Sequence, residues 1–157
     1  MGCISTIDLQ TKMDVHELLS RFCYFLDHDK KLEWVRLFTP DAAIEMGPIG
    51  TFAGHAEIAT VPGKVAERGN GMWRCVLTNI MFERTANLRE LVVNACCMIT
   101  DWSGRGVLAH CADFKATLQH RRYWQIDHLT MTPVGPVHFE SGHISNDTSQ
   151  IEPTLTH

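Results

Sequence analysis

The feature that most constrains this chain lies in its second half. Four runs, "MWRCVLTNIMFER", "LRELVVNACCMITDW", "GVLAHCADFKATLQ" and "YWQIDHLTMTP", succeed one another between Met72 and Pro133. Each is rich in the β-branched, aromatic and apolar residues that suit a pleated, half-buried surface. The turns between them, "TAN", "SGRG" and "HRR", are too short for a parallel crossover, so the runs read as antiparallel neighbours. A meander of this size has one face to bury, and the first half of the chain must supply the cover.

That cover is legible. Val15, Leu18, Leu19, Phe22, Phe25 and Leu26 recur at helical spacing and form one apolar stripe ending near residue 28. Asp14, with Glu17 three residues on, reads as the N-cap and capping box of this helix. Asp27 lies one turn beyond Cys23, itself one turn beyond Leu19, in a row along the edge of the stripe. A short second helix follows, with Trp34, Leu37 and Phe38 on one face, and Pro40 closes it. "AAIEM" (42–46) reads as a strand and "GPIGTFAG" as a tight hairpin. A weak helix from about His55 to Arg68 is interrupted at Pro62-Gly63. Helices first and a long meander afterwards make an α+β fold. Helices laid across the open side of a curved sheet leave a conical cavity between the two layers.

The chain has 157 residues, enough for one domain with a substantial core. We read residues 1–157 as a single domain with its core at about 10–132 and an extended tail at 133–157. A net charge of -4 and a pI near 6.1 exclude the basic field that nucleic acid requires. No apolar run approaches the roughly 20 residues that span a bilayer, and "MGCISTIDLQTKM" has no secretory leader pattern. Met1-Gly2-Cys3 matches an acylation signal only weakly. Six cysteines without an export signal, two of them the neighbours Cys96-Cys97, read as reduced thiols of a cytoplasmic protein. His110-Cys111 opposite Cys96-Cys97 would be the place for a metal, but buried thiols account for the pattern, so no metal is expected. No nucleophile elbow, phosphate loop or dinucleotide fingerprint is present, and no cofactor is expected.

"LDHDKKLEWVRLFTPDA", "GTFAGHAEI", "LTN" opening a strand and the late "YWQI" together resemble the SnoaL-like branch of the NTF2-like superfamily. That branch includes scytalone dehydratase, a dehydrochlorinase, ketosteroid isomerases and polyketide cyclases. The β subunits of ring-hydroxylating dioxygenases share its fold. The resemblance covers about residues 10–132 and implies a cone of helices on a strongly curved antiparallel sheet around a pocket. It is more specific for fold than for reaction. It places Asp27 on the aspartate that partners a histidine in the dehydratase and dehydrochlorinase. The histidine's position, four residues before the Asn of "TN", is Cys75 here, and an arginine position after the late Trp is Leu129.

The candidate site follows. A carboxylate at the rim of an apolar cavity loses hydration, which raises its pKa and equips Asp27 as a general acid or base; on a solvated helix end it would be inert. Strand alternation puts Leu108, His110, Ala112 and Phe114 on one face, making His110 the substitute partner, or else a hydrogen-bonded core histidine. Asp113 faces the other way. On the last strand, parity admits either Asp127 or His128. Trp73, Cys75 and Leu77 share a strand face and would wall the pocket with Phe22, and Tyr24 would offer its phenol. His138, His143 and His157 read as solvated tail residues. The expected activity is a cofactor-independent dehydration, isomerisation or cyclisation of a small apolar cyclic substrate. The alternative is a non-catalytic ligand-binding or assembly subunit like the dioxygenase β subunits. Both versions imply a homodimer or homotrimer, since the outer face of the sheet shows apolar side chains.

Overall fold

The computed structural model describes residues 6–135. The acylation motif, the C-terminal tail from residue 136 and its three histidines lie outside them. Helices α1 (Leu9–Asp27), α2 (Lys31–Val35), α3 (Gly54–Ile58) and α4 (Val61–Arg68) cover a six-stranded sheet of β1 (Phe38–Glu45), β2 (Thr51–Ala53), β3 (Trp73–Arg84), β4 (Glu90–Asp101), β5 (Val107–His120) and β6 (Trp124–Pro133). The strand order is β2-β1-β6-β5-β4-β3. The sheet is curved and unclosed, an α+β architecture. The four-run meander stands as read, with every consecutive pair antiparallel. Beyond that reading, β1 joins the meander through a parallel pairing with β6.

Helix α1 buries Val15, Leu18, Leu19, Phe22 and Leu26, the expected stripe. Its N-cap, however, is Asp8 rather than Asp14: the Asp8 carboxylate accepts from the Thr11 N–H at 2.8 Å. Asp14 and Glu17 sit inside the helix instead, bonded to Gln10 and Arg21 one turn away. The apolar residues of this first stretch, Leu9 and Met13, are exposed and do not extend the buried stripe, so hydrophobic periodicity did not mark the start of the helix.

Phe38 and Pro40 also leave their expected helix and open β1. The pre-proline restriction on Thr39 favours extended backbone. The β1–β6 register shifts between Phe38 and Ala43, so Pro40 occupies a stretch where no ladder N–H is required. There the Thr39 hydroxyl donates to the Asp127 carboxylate at 2.8 Å. The single weak helix around residue 60 is two helices broken at Ala59-Thr60. Pro62 lies in the first turn of α4, where a missing N–H costs nothing.

The core at one end of the cone is aromatic. Phe22 packs against Trp34, Phe38 and Phe114 with ring centroids 5.4, 6.3 and 5.7 Å away. The Trp34 indole N–H donates to the Phe22 carbonyl at 3.2 Å, which leaves its only polar atom satisfied. All four rings are buried, and full burial of one such side chain contributes about 1.5–3 kcal/mol.

Bulges adjust the meander in three places. On β5 the pairing slips between Ile99↔His110 and Thr100↔Leu108, leaving Ala109 unpaired. On β6 it slips at Asp127. On the edge strand β3, Asn79 and Ile80 fall outside the ladder, Asn79 with φ of 54°.

Candidate functional site

A cavity of about 160 Å³ opens at the end of the cone opposite the aromatic cluster. Leu26 and Val65 roof it from α1 and α4; Met46, Pro48 and Ile49 close one side from the β1–β2 connection. Trp73, Cys97 and Ile99 come from β3 and β4, Ala109 to Ala112 from β5, and Met131 and Pro133 from β6. The wall is almost wholly apolar, with His110 its one ionisable imidazole.

The bulge on β5 makes that placement. Leu108, expected beside His110, is exposed at 59% because the unpaired Ala109 reverses the alternation. His110 turns inward, edge-on to Trp73 with ring centroids 5.2 Å apart. Loss of hydration first, and the Arg68 guanidinium second, hold its pKa below the ordinary 6.5, so the ring is neutral at pH 7. The Trp73 indole N–H donates to the Asp101 carboxylate at 3.2 Å, which fixes the ring's orientation in the wall.

Asp27 stands immediately after cavity-lining Leu26 and ends α1. Because β3 is an edge strand, alternate N–H groups along its free side lack a ladder partner. Asp27 Oδ1 accepts one of them, the Cys75 N–H, at 2.9 Å. Burial dominates the titration of Asp27 and lifts its pKa from 3.8 to about 6. The Cys75 N–H, the Arg74 guanidinium and His28 pull the other way without cancelling it. The carboxyl is thus half-buried, with its pKa lifted to about 6.

Other candidates fall elsewhere. Cys75 is buried between two thiols, its Sγ 3.5 Å from Cys23 and 3.6 Å from Cys97, and its own thiol pKa is pushed well up by those neighbours and by burial. It shows the cavity wall no side chain. Phe22 belongs to the aromatic cluster rather than the wall. Leu77 packs on the core and borders a groove on the outer surface. Tyr24 is 53% exposed on the far side of α1, stacked on His28 at 4.2 Å. The slip at Asp127 sends His128 outward, where its Nε2 lies 3.9 Å from a Glu45 carboxylate oxygen. Leu129, at the resemblance's arginine position, is fully buried in the core.

Arg68, Arg74 and Asp101 were not singled out from sequence; Cys97 was weighed only as part of a metal place, and Cys23 only as standing in the same helical row as Asp27. Among the described residues, no group of three or more His, Cys, Asp or Glu side chains is placed to hold a metal ion.

Helices across a curved, unclosed sheet, with an apolar cavity between the layers, define the cystatin-like or NTF2-like class of fold. The SnoaL-like domain family model matches residues 8–83. A Nostoc punctiforme protein with a cystatin-like fold is similar at a TM-score of 0.73 and 17% identity, over 82% of this chain and 94% of that one. A scytalone dehydratase-like protein of Novosphingobium aromaticivorans aligns at 0.69 and 14%, over 81% and 86%. An aromatic ring hydroxylase-like protein of the same organism aligns at 0.68 and 16%, over 83% and 94%. No curated protein matches. The chain is thus similar to the SnoaL-like domain family over residues 8–83, and its fold is NTF2-like.

Proposed function

We propose that this protein is a cofactor-independent enzyme that moves a proton on a small apolar cyclic substrate, in a dehydration, isomerisation or cyclisation. The observation that carries this reading is the Asp27 carboxyl: half-buried, its pKa lifted to about 6, accepting from the Cys75 N–H, and next in sequence to Leu26 of the cavity wall, though not itself part of that wall. Asp27 acts as general acid or base, ionised above its pKa and protonated below it. His110, edge-on to Trp73 in the cavity wall, orients a carbonyl or hydroxyl of the guest while Trp73 stacks against the guest's ring. A cavity of about 160 Å³ has room for roughly one ring, since an engineered cavity of ~150 Å³ elsewhere accommodates benzene. Small phenols and cyclic enones therefore fit better than fused steroids.

The similarity to a scytalone dehydratase-like fold supports this direction. A second reading, ligand binding without turnover, is favoured by one observation: Cys75 and Leu129 stand in place of a histidine and an arginine, and both are buried. Under either reading we propose a homodimer or homotrimer formed through the outer sheet face around Val76, Met81 and Val107, each at least 42% exposed. A cytoplasmic location is proposed on the strength of the free thiols. Among the described residues no helix is long and apolar enough to cross a membrane.

The test is a thermal-shift screen of small cyclic compounds, followed by turnover with the hits. Asp27→Asn is expected to keep binding within about threefold and to lose at least ~100-fold in kcat. Unchanged kcat would remove the carboxyl from the reaction, and binding without turnover in the unmodified protein would favour the second reading.

A further inference from the structure

Three thiols form a chain that neither the cavity chemistry nor the family resemblance uses. Cys23 Sγ lies 3.5 Å from Cys75 Sγ, and Cys75 Sγ lies 3.6 Å from Cys97 Sγ. They come from three elements, α1, β3 and β4. The two ends differ in access. Cys23 is half-buried and, with Cys75, borders an outer groove alongside His16, Leu19 and Ser20. Cys97 is fully buried and forms part of the cavity wall. Strand alternation separates this chain from a second pair, Cys96 and Cys111, whose sulfurs are 3.6 Å apart on the opposite face of the sheet.

We propose that Cys23 and Cys75 are an oxidisable dithiol, a disulfide site that ties α1 to β3 when a hydroperoxide reaches the outer groove. Cys23 reacts first because it is the more accessible of the two. Its thiolate attacks the peroxide oxygen, giving a sulfenic acid and releasing hydroxide. The Cys75 sulfur then displaces the sulfenic oxygen, forming the S–S bond, and its proton leaves with that oxygen as water. Two thiols are oxidised, and hydrogen peroxide is reduced to two waters. The sulfurs must close from 3.5 Å to about 2.05 Å, a movement of the size that side-chain rotation provides.

The position gives the bond a consequence. Asp27 is one turn beyond Cys23 on α1, and its carboxylate accepts from the backbone of Cys75. The cross-link joins the two segments that hold this hydrogen bond, so oxidation clamps Asp27 on β3. It also closes a loop between residues 52 apart, which restricts the unfolded chain. The proposal stands whether or not the cavity turns over a substrate.

Trypsin separates the participants: Cys23 falls in peptide 22–30, Cys75 in 75–84, Cys96 and Cys97 together in 90–105, and Cys111 in 106–115. The full chain is treated with hydrogen peroxide, alkylated, digested without reductant and analysed by mass spectrometry. The expected product joins 22–30 to 75–84 with the loss of two hydrogens, disappears with dithiothreitol, and comes from protein that runs as a single chain on a non-reducing gel. The thermal midpoint of the oxidised protein rises by several degrees. Cys97→Ala retains both effects, and Cys23→Ser loses both. Recovery of 22–30 with Cys23 free or over-oxidised would overturn the proposal. So would a link from 75–84 to 90–105 in its place, or a midpoint rise that persists in Cys23→Ser.

Discussion

The two ends of the cone share α1 and β5 and do opposite things. At one end, Phe22, Trp34, Phe38 and Phe114 fill the space between helix and sheet, and nothing is left open. At the other, β5 presents Ala109 and Ala112 and β4 presents Cys97 and Ile99, and a cavity remains between the layers. The strand β5 carries both, with Phe114 and His110 only four residues apart. The difference is one of side-chain volume and of a single bulge. Large rings fill the space between the layers at one end, and smaller side chains leave room at the other. The closed end is filled by buried rings and the open one keeps a cavity.

The comparison can be broken first at the closed end. Phe22→Ala removes a fully buried ring with three aromatic partners and is expected to cost about 3–5 kcal/mol, read from urea unfolding. A loss under about 1 kcal/mol would show that the closed end does not carry the fold.

At the open end the sharpest intrusion is Gly69→Ala. A Cβ there would lie 2.3 Å from Cγ of Trp73, so the ring must move, and an expected cost of about 1–3 kcal/mol comes with it. Because Trp73 is a wall of the cavity, the same variant should lose its thermal shift with any screened ligand. Retained binding would exclude Trp73 as a contact.

Asp27→Asn has a smaller effect on stability, of opposite sign. The folded-state pKa of about 6 lies above the ordinary 3.8, so between those values the folded chain keeps a proton that the unfolded chain has lost. The corresponding stability is fully present below about pH 4 and is lost as pH rises through about 6. Two pH units would correspond to about 3 kcal/mol, which half-exposure reduces to about 1 kcal/mol. At pH 7 the Asn variant should therefore be about 1 kcal/mol more stable than the parent, and at pH 4 equal to it. A variant less stable at pH 7 would contradict the burial of the carboxylate.

Tyr24→Phe and His128→Ala mark the bottom of the scale. Both side chains face water, and changes within about 0.5 kcal/mol with unaltered ligand binding are expected in the same assays. A binding defect in either would put the site elsewhere.

Much of this architecture was readable before any coordinates. Periodicity of 3.6 located the inner stripe of α1, and four β-rich runs with short turns located the meander. What escaped has physical causes. The first turn of α1 is set by the Asp8 cap rather than by a buried apolar stripe. The parallel pairing of β1 with β6 joins segments more than 80 residues apart, beyond any local signal. Parity arguments failed where a bulge intervened, placing Leu108 outside and leaving His128 in water. Asp27 was singled out by its spacing together with the resemblance, and its partner is a backbone N–H of an edge strand, which no side-chain pattern reveals. The thiol contacts of Cys75 needed the same long-range assembly, although Cys23 and Asp27 already shared a helical row.

The slip at Asn79 and Ile80 has a consequence at a larger scale. It interrupts the free border of the sheet halfway along, while the opposite border is only the three residues of β2. Neither rim offers a continuous row of open amides for another chain to extend, so the sheet ends at six strands instead of seeding a ribbon of copies.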